Sequence, residues 1–117
     1  MRNAQIQILN AADTASQTGG AYWVGQTIAA SFAPVFGDTT AAGTLKIQCS
    51  NDIPVGSQPS WVPTNWCDIP NATSTITAGV GPAILIPNMA FAYVRAVYTR
   101  TSGGSTTVVV NMNILSA

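Results

Sequence analysis

Along much of the chain, apolar residues recur at every second position. Leu45, Ile47 and Cys49 alternate with Lys46, Gln48 and Ser50, and Val94, Ala96 and Tyr98 alternate with Tyr93, Arg95 and Val97. Val108, Val110, Met112 and Ile114 share one face of the last segment. Successive side chains of a strand point to opposite faces, so period two places each set on one side of a half-buried strand. No stretch shows the recurrence at three and four residues that an amphipathic helix needs. Turn residues punctuate the pattern at Gly19-Gly20, Gly37–Gly43, Asn51–Gly56, Gly79–Pro82 and Pro87-Asn88. About eight or nine short strands separated in this way predict an all-β antiparallel sandwich or barrel, and the spacing does not choose between them.

Finer expectations follow segment by segment. Ile6 and Ile8 alternate with glutamines, and Tyr22, Val24 and Ile28 share a face. Pro34 has no N–H for a ladder, so its strand lies at a sheet edge or carries a bulge. Asn51 to Ser60 reads as a loop, and Trp61 to Ile69 as a returning strand interrupted by Pro63. Ser102-Gly103-Gly104-Ser105 reads as a hairpin turn, because glycine tolerates the positive φ such turns require. A chain of 117 residues suits one domain, 1–117, with residues 1–9 as an N-terminal interface strand or arm.

Composition removes several function classes. There is no His and no Glu; the acids are Asp13, Asp38, Asp52 and Asp68, and the bases Arg2, Lys46, Arg95 and Arg100. Without His the chain lacks the usual general base and the commonest metal ligand, so an ordinary enzyme is not expected. Two cysteines without His supply at most half a zinc site, and an isolated Asp after Asn51 suits an Asx turn better than calcium. No cofactor is expected. Two neighbouring arginines do not make the basic patch that phosphate binding needs, and no run of about 18 apolar residues spans a membrane. The start lacks the apolar stretch of a secretory signal, which places synthesis in the cytosol.

Charged residues make up 7 % of the chain, where about 25 % is usual. That is one charge per ~750 Å² of folded surface, with no net charge to oppose self-association. A neutral polar exterior is one reading, and an exterior covered by other subunits is the sharper one.

Cys49 and Cys67 lie on segments that would be neighbours if they form a hairpin. A disulfide there would add ~3 kcal/mol, and two reduced thiols are the alternative. Trp23, Trp61 and Trp66 suit either a core or a sugar-stacking platform, and Trp61, between Pro59 and Pro63, is the one expected to be exposed.

Four segments together resemble small virion proteins of tailed bacteriophages: Gly43-Thr44-Leu45-Lys46-Ile47-Gln48-Cys49-Ser50-Asn51-Asp52, Trp66-Cys67-Asp68-Ile69, Tyr93-Val94-Arg95-Ala96-Val97-Tyr98-Thr99 and Ser102-Gly103-Gly104. The resemblance runs over residues 43–115. It implies a jelly-roll β-sandwich and a role as capsid decoration (cement) protein or as part of a head or tail fibre. Its partners would be the major capsid protein or other virion subunits, in a dimer or trimer, inside a virion assembled in the host cytoplasm. The chain departs from the pattern in its Pro54, Pro59 and Pro63 loop. It also carries Cys49 and Cys67 where such proteins carry small or polar residues. The expected contact regions are the Ile6/Ile8 strand, the loop around Trp61, and the last strand with Val108, Val110, Met112 and Ile114. The alternative function is a carbohydrate-binding module that stacks a glycan on Trp61 and a second aromatic. A secreted lectin of discoidin type would require both a signal peptide and a formed Cys49–Cys67 bond.

Overall fold

In the longest strands nearly every second residue is buried, and the buried sets face one another across two antiparallel sheets. The computed structural model describes residues 2–54 and 61–116. Among these it places β1 (Arg2–Ala12), β2 (Gln17–Thr18), β3 (Tyr22–Trp23), β4 (Thr27–Phe36), β5 (Ala42–Ser50), β6 (Cys67–Ile76), β7 (Ile84–Ile86), β8 (Tyr93–Ser102) and β9 (Thr107–Ser116). One sheet has the order β1-β9-β4-β7; the other has β2-β8-β5-β6, with β3 also pairing with β8. The all-β antiparallel expectation holds. Both sheets stay open, so the molecule is a sandwich and not a barrel.

The core lies between the two inner faces. Ile8, Leu9, Ala30, Phe32, Ile84, Ile86, Val108, Val110 and Met112 come from the first sheet. Leu45, Ile47, Ile69, Ala72, Ile76, Val94, Ala96 and Tyr98 come from the second. Full burial of an aliphatic or aromatic side chain contributes ~1.5–3 kcal/mol, so this stripe is the main stabilising term. Tyr98 is buried with its hydroxyl donating to the Ala42 carbonyl at 3.3 Å and its ring edge-on to Phe36 at 5.4 Å. In β1 a bulge between Gln7 and Leu9 shifts the register, which is how the adjacent Ile8 and Leu9 both reach the core.

Several expectations need correction. Residues 2–9 belong to a paired strand: β1 pairs with β9 from Arg2 to Ala12, and the Tyr22 hydroxyl donates to the Gln7 carbonyl at 3.2 Å across its far edge. The Pro34 expectation, by contrast, is met: β4 carries a bulge between Thr27 and Ala29, and its β7 pairing ends at Phe32, which leaves the far edge open at Pro34. The returning strand begins at Cys67, and 61–66 is irregular. The loop reading at 55–60, with Pro59, lies outside the described residues. Gly103 and Gly104 do have positive φ, 69° and 88°, yet Ser102–Ser105 is not a hairpin turn: β8 and β9 lie in different sheets, so the turn carries the chain from one layer to the other.

Two carboxylates hold the turns at that end. Asp38 Oδ1 accepts from the Thr40 and Ala41 N–H groups at 2.9 and 3.1 Å, and its Oδ2 accepts from the Ser105 N–H at 2.6 Å. Asp13 is fully buried, with Oδ1 accepting from the Thr106 N–H at 2.9 Å and Oδ2 without a partner among the described residues. At the opposite end Asp52 Oδ2 accepts from the Thr64 and Asn65 N–H groups at 2.7 and 2.9 Å. The Thr40 and Ser105 amides hold the Asp38 carboxyl well below the usual carboxylate range. The Asn65 and Thr64 amides lower Asp52, and Gln48 with Lys46 lowers Asp68.

The cysteine-bearing strands do form a hairpin, and Cys49 stands opposite Cys67 in the β5–β6 register. Both thiols are free, Cys49 half-buried and Cys67 exposed. Directly opposed antiparallel residues have Cα atoms ~4.5–5.5 Å apart, inside the ~4.4–6.8 Å that a disulfide spans.

Two outcomes follow. A group whose carboxyl is depressed on folding stabilises above its unfolded pKa and stops doing so as pH falls through the folded value. With three such groups and no His, the melting temperature should be level from about pH 5 to 8 and fall below about pH 4. A decline setting in between pH 5 and 7 would contradict this. Oxidised glutathione should join Cys49 to Cys67 within one chain, with loss of two hydrogens by mass and a gain of ~3 kcal/mol in denaturant unfolding. Intermolecular dimers in place of that species would contradict the pairing.

Candidate functional site

Among the described residues no three His, Cys, Asp or Glu side chains gather. What the fold assembles instead is two outer faces of opposite character.

The outer face of the β2-β8-β5-β6 sheet carries charge, and the charge is spoken for. The Arg95 guanidinium lies over the Trp66 ring, 4.4 Å from its centroid, and its Nε donates to Gln48 Oε1 at 2.8 Å. Gln48 Nε2 donates to Asp68 Oδ1 at 2.8 Å, and Lys46 Nζ stands 3.3 Å from the same carboxylate. Trp66 is held in turn by its Nε1–H, which donates to the Pro63 carbonyl at 3.2 Å. A cation over an indole contributes ~0.5–2 kcal/mol, more than an exposed ion pair such as Lys46–Asp68. Trp66 is therefore the clasp of the 61–66 segment, and burial beneath it pulls the Arg95 guanidinium below its ordinary value.

Beyond this row the same face ends in an aromatic group. Trp23 pairs in register with Tyr93, the rings 5.4 Å apart at 69°, and Trp61 lies 5.7 Å from Tyr93 at 53°. Trp23 is 61 % exposed and Trp61 is half-buried, the reverse of the expectation that Trp61 is the exposed one. Tyr22 and Val24 point inward, so the residue between them had to point out; that signal was in the alternation.

From Ala4 onward, none of the described side chains on the outer face of the β1-β9-β4-β7 sheet is charged. From β1 it presents Gln5, Gln7, Asn10 and Ala12, and in register beside them β9 presents Asn113, Asn111, Val109 and Thr107. Along β4, Ala29, Ser31, Ala33 and Val35 continue the same rows from Leu115 to Val109, and Leu85 of β7 stands beyond Ser31. The rows combine side-chain amides with small or apolar groups. Leu85 is 73 % exposed and Val35 51 %.

The expected contact residues divide accordingly. Ile8, Val108, Val110 and Met112 are in the core at 0–1 % exposure and have no surface to offer. Ile6 and Ile114 are half-buried and pack on that core, and Trp61 packs on Tyr93. The last strand lies between β1 and β4, so it has no free edge. The apolar stripe taken for a contact surface is the core stripe, and the outward residues are the ones alternating with it: Val109, Asn111, Asn113 and Leu115. Cys49 and Cys67 come together as opposed partners, unbonded.

No known protein family's sequence profile matches the chain, and no curated protein does. Among solved structures the chain is similar to the SPBc2 prophage-derived protein YomS, with a TM-score of 0.63 at 12 % identity over 98 % of this chain and 94 % of that one. At that identity the likeness is one of fold: two antiparallel sheets, matched over nearly the whole of both chains.

Proposed function

We propose that this protein is a structural subunit of a virion, a jelly-roll module that decorates or cements a capsid lattice through the outer face of the β1-β9-β4-β7 sheet. The observation that carries this reading is the absence of charge among the described side chains of that face. A surface meant for water alone gains from Lys and Asp there, whereas a surface covered by a neighbour would have to strip their hydration at a cost of several kcal/mol each. Side-chain amides and small apolar groups dock at less cost and can serve self-contact or contact with a capsid subunit.

Two further observations support it. The strand orders β1-β9-β4-β7 and β2-β8-β5-β6, with β1 and β9 adjacent and most connections passing between layers, support the jelly-roll reading, and jelly rolls are frequent in viral capsids. The similar solved fold is described as prophage-derived.

The size of the face sets the mode of attachment. Strands of about ten residues at ~3.4 Å rise, spaced ~4.8 Å, give roughly 500–650 Å². A standard interface buries ~800 Å² per partner, so one docked copy is held weakly. A ring or lattice of copies multiplies that affinity through effective concentration, so the protein acts as a dimer or trimer on an array of capsid subunits. The chain performs no reaction.

The experiment is to identify the chain by mass spectrometry in purified particles made by the genome that encodes it, and to repeat this with Asn111→Asp and with Ala33→Asp. The unaltered chain should be present at a stoichiometric ratio to the shell subunit. Each variant should melt within a few degrees of it, since the positions are off the core, but occupy the particle about a hundredfold more weakly, ~3 kcal/mol for an unpaired charge at a joint. Absence of the unaltered chain from the particles, or full occupancy by both variants, would overturn the reading.

A further inference from the structure

Three rings meet at the far end of the charged sheet, on the side away from the uncharged face. Trp23 reaches Tyr93 from β3, which pairs with β8, and Trp61 reaches it from the irregular segment that leads into β6. Their planes stand at 69° and 53° to the phenol. The group is thus a floor with two tilted walls, one ring wide, and not a flat plate.

We infer that this aromatic cup binds a neutral saccharide, holding one pyranose ring by its C–H face. The aromatic face carries negative quadrupole charge, and a pyranose with equatorial hydroxyls presents axial C–H groups as a flat, weakly positive face of matching width. The Trp23 ring is set for this from behind. It lies across Gly25, where a Cβ would run into its Cζ2 and Cη2 atoms, and so its remaining surface is open to solvent. Beside it is a hollow of about 440 Å³ lined by Trp23, Gly25, Asn51, Ala90, Phe91 and Ala92, within the ~300–1,000 Å³ of small-molecule sites.

The polar groups at the rim fix the charge of the ligand. Asn51 is exposed and lines the hollow, its Oδ1 accepting from the Ala92 N–H at 3.0 Å. The Asp52 carboxylate is engaged on both oxygens, by the Thr64 and Asn65 N–H groups and by Asn65 Nδ2 at 3.1 Å, and Arg95 lies against Trp66. A side-chain amide without a free ionic group suits a neutral sugar and gives no charge to pair with a phosphate or an acidic sugar. A protein partner would be expected to cover a broad apolar patch, and the walls here leave room for one ring.

Isothermal titration with cellotetraose and with chitotetraose tests the cup, each a β-linked chain of rings with equatorial substituents. At least one should bind with a saturable isotherm, with Trp23→Ala weakening it by about tenfold or more and Trp23→Phe restoring most of the affinity. Leu85→Ser, on the opposite sheet, should leave the isotherm unchanged. Trp23 is outside the core, so its variants should keep the parent melting temperature. Silence with both saccharides, or binding by Trp23→Ala within about twofold of the parent, would overturn the proposal. So would sugar silence combined with loss of self-association in Trp23→Ala, which would make the cup a protein contact. Occupancy of the particle by Asn111→Asp and Ala33→Asp does not depend on sugar binding, so the two readings fail separately.

Discussion

Strand β9 is the member on which both faces of the molecule depend. It is hydrogen-bonded to β1 on one side and to β4 on the other over nearly its whole length, so without it β1 has no sheet partner and β4 keeps only its short pairing with β7. Its inward side chains, Val108, Val110 and Met112, are fully buried against the second sheet. Because alternation is strict, the same strand must send Val109, Asn111, Asn113 and Leu115 to the other side. A slip of one residue in register would turn amides into the core and valines into water. The core and the proposed docking face are therefore one constraint seen from two sides.

The few ionic groups are arranged in a consistent way. Asp38 ties its own turn to the β8–β9 connection, Asp52 ties the long loop to its own return, and Asp68 joins Lys46 and Gln48 across β5 and β6. In each case amide or ammonium donors surround the carboxylate, which keeps it ionised and fixes irregular backbone that strand pairing does not reach. Charge in this chain works inside the molecule, at loop ends and on one sheet. The described side chains on the outer face of the other sheet are uncharged, the property that the proposed docking role rests on.

How much of this was legible in the residues varies by element. The inward set Val94, Ala96 and Tyr98, the alternating strand from Leu45 to Ser50, and the opposition of Cys49 and Cys67 could all be read from period two and a hairpin between neighbouring strands, whereas Ala42 and Gly43, which read as turn, belong to the strand. The contact residues could not be read the same way. An apolar stripe on a terminal strand suits a core or an interface equally well, and Val108 to Ile114 belongs to the core because β9 is central. Trp23 and Tyr93 share a row because β3 pairs with β8, a neighbour some seventy residues away in the chain, and no local pattern predicts that.

From the residues alone came the strand class, the alternation that separates inside from outside, the positive-φ glycines of the last turn, and the shortage of charge. These are local or additive properties: a pleat alternates whatever it pairs with, and charges can be counted without a fold. Only the tertiary structure decided which strands are central, that Ser102–Ser105 crosses between layers, that the uncharged side chains collect on one sheet, and that three distant aromatics form a cup. Those depend on strand order. Strand order is selected by the burial of all the stripes at once, an energy that no single segment contains.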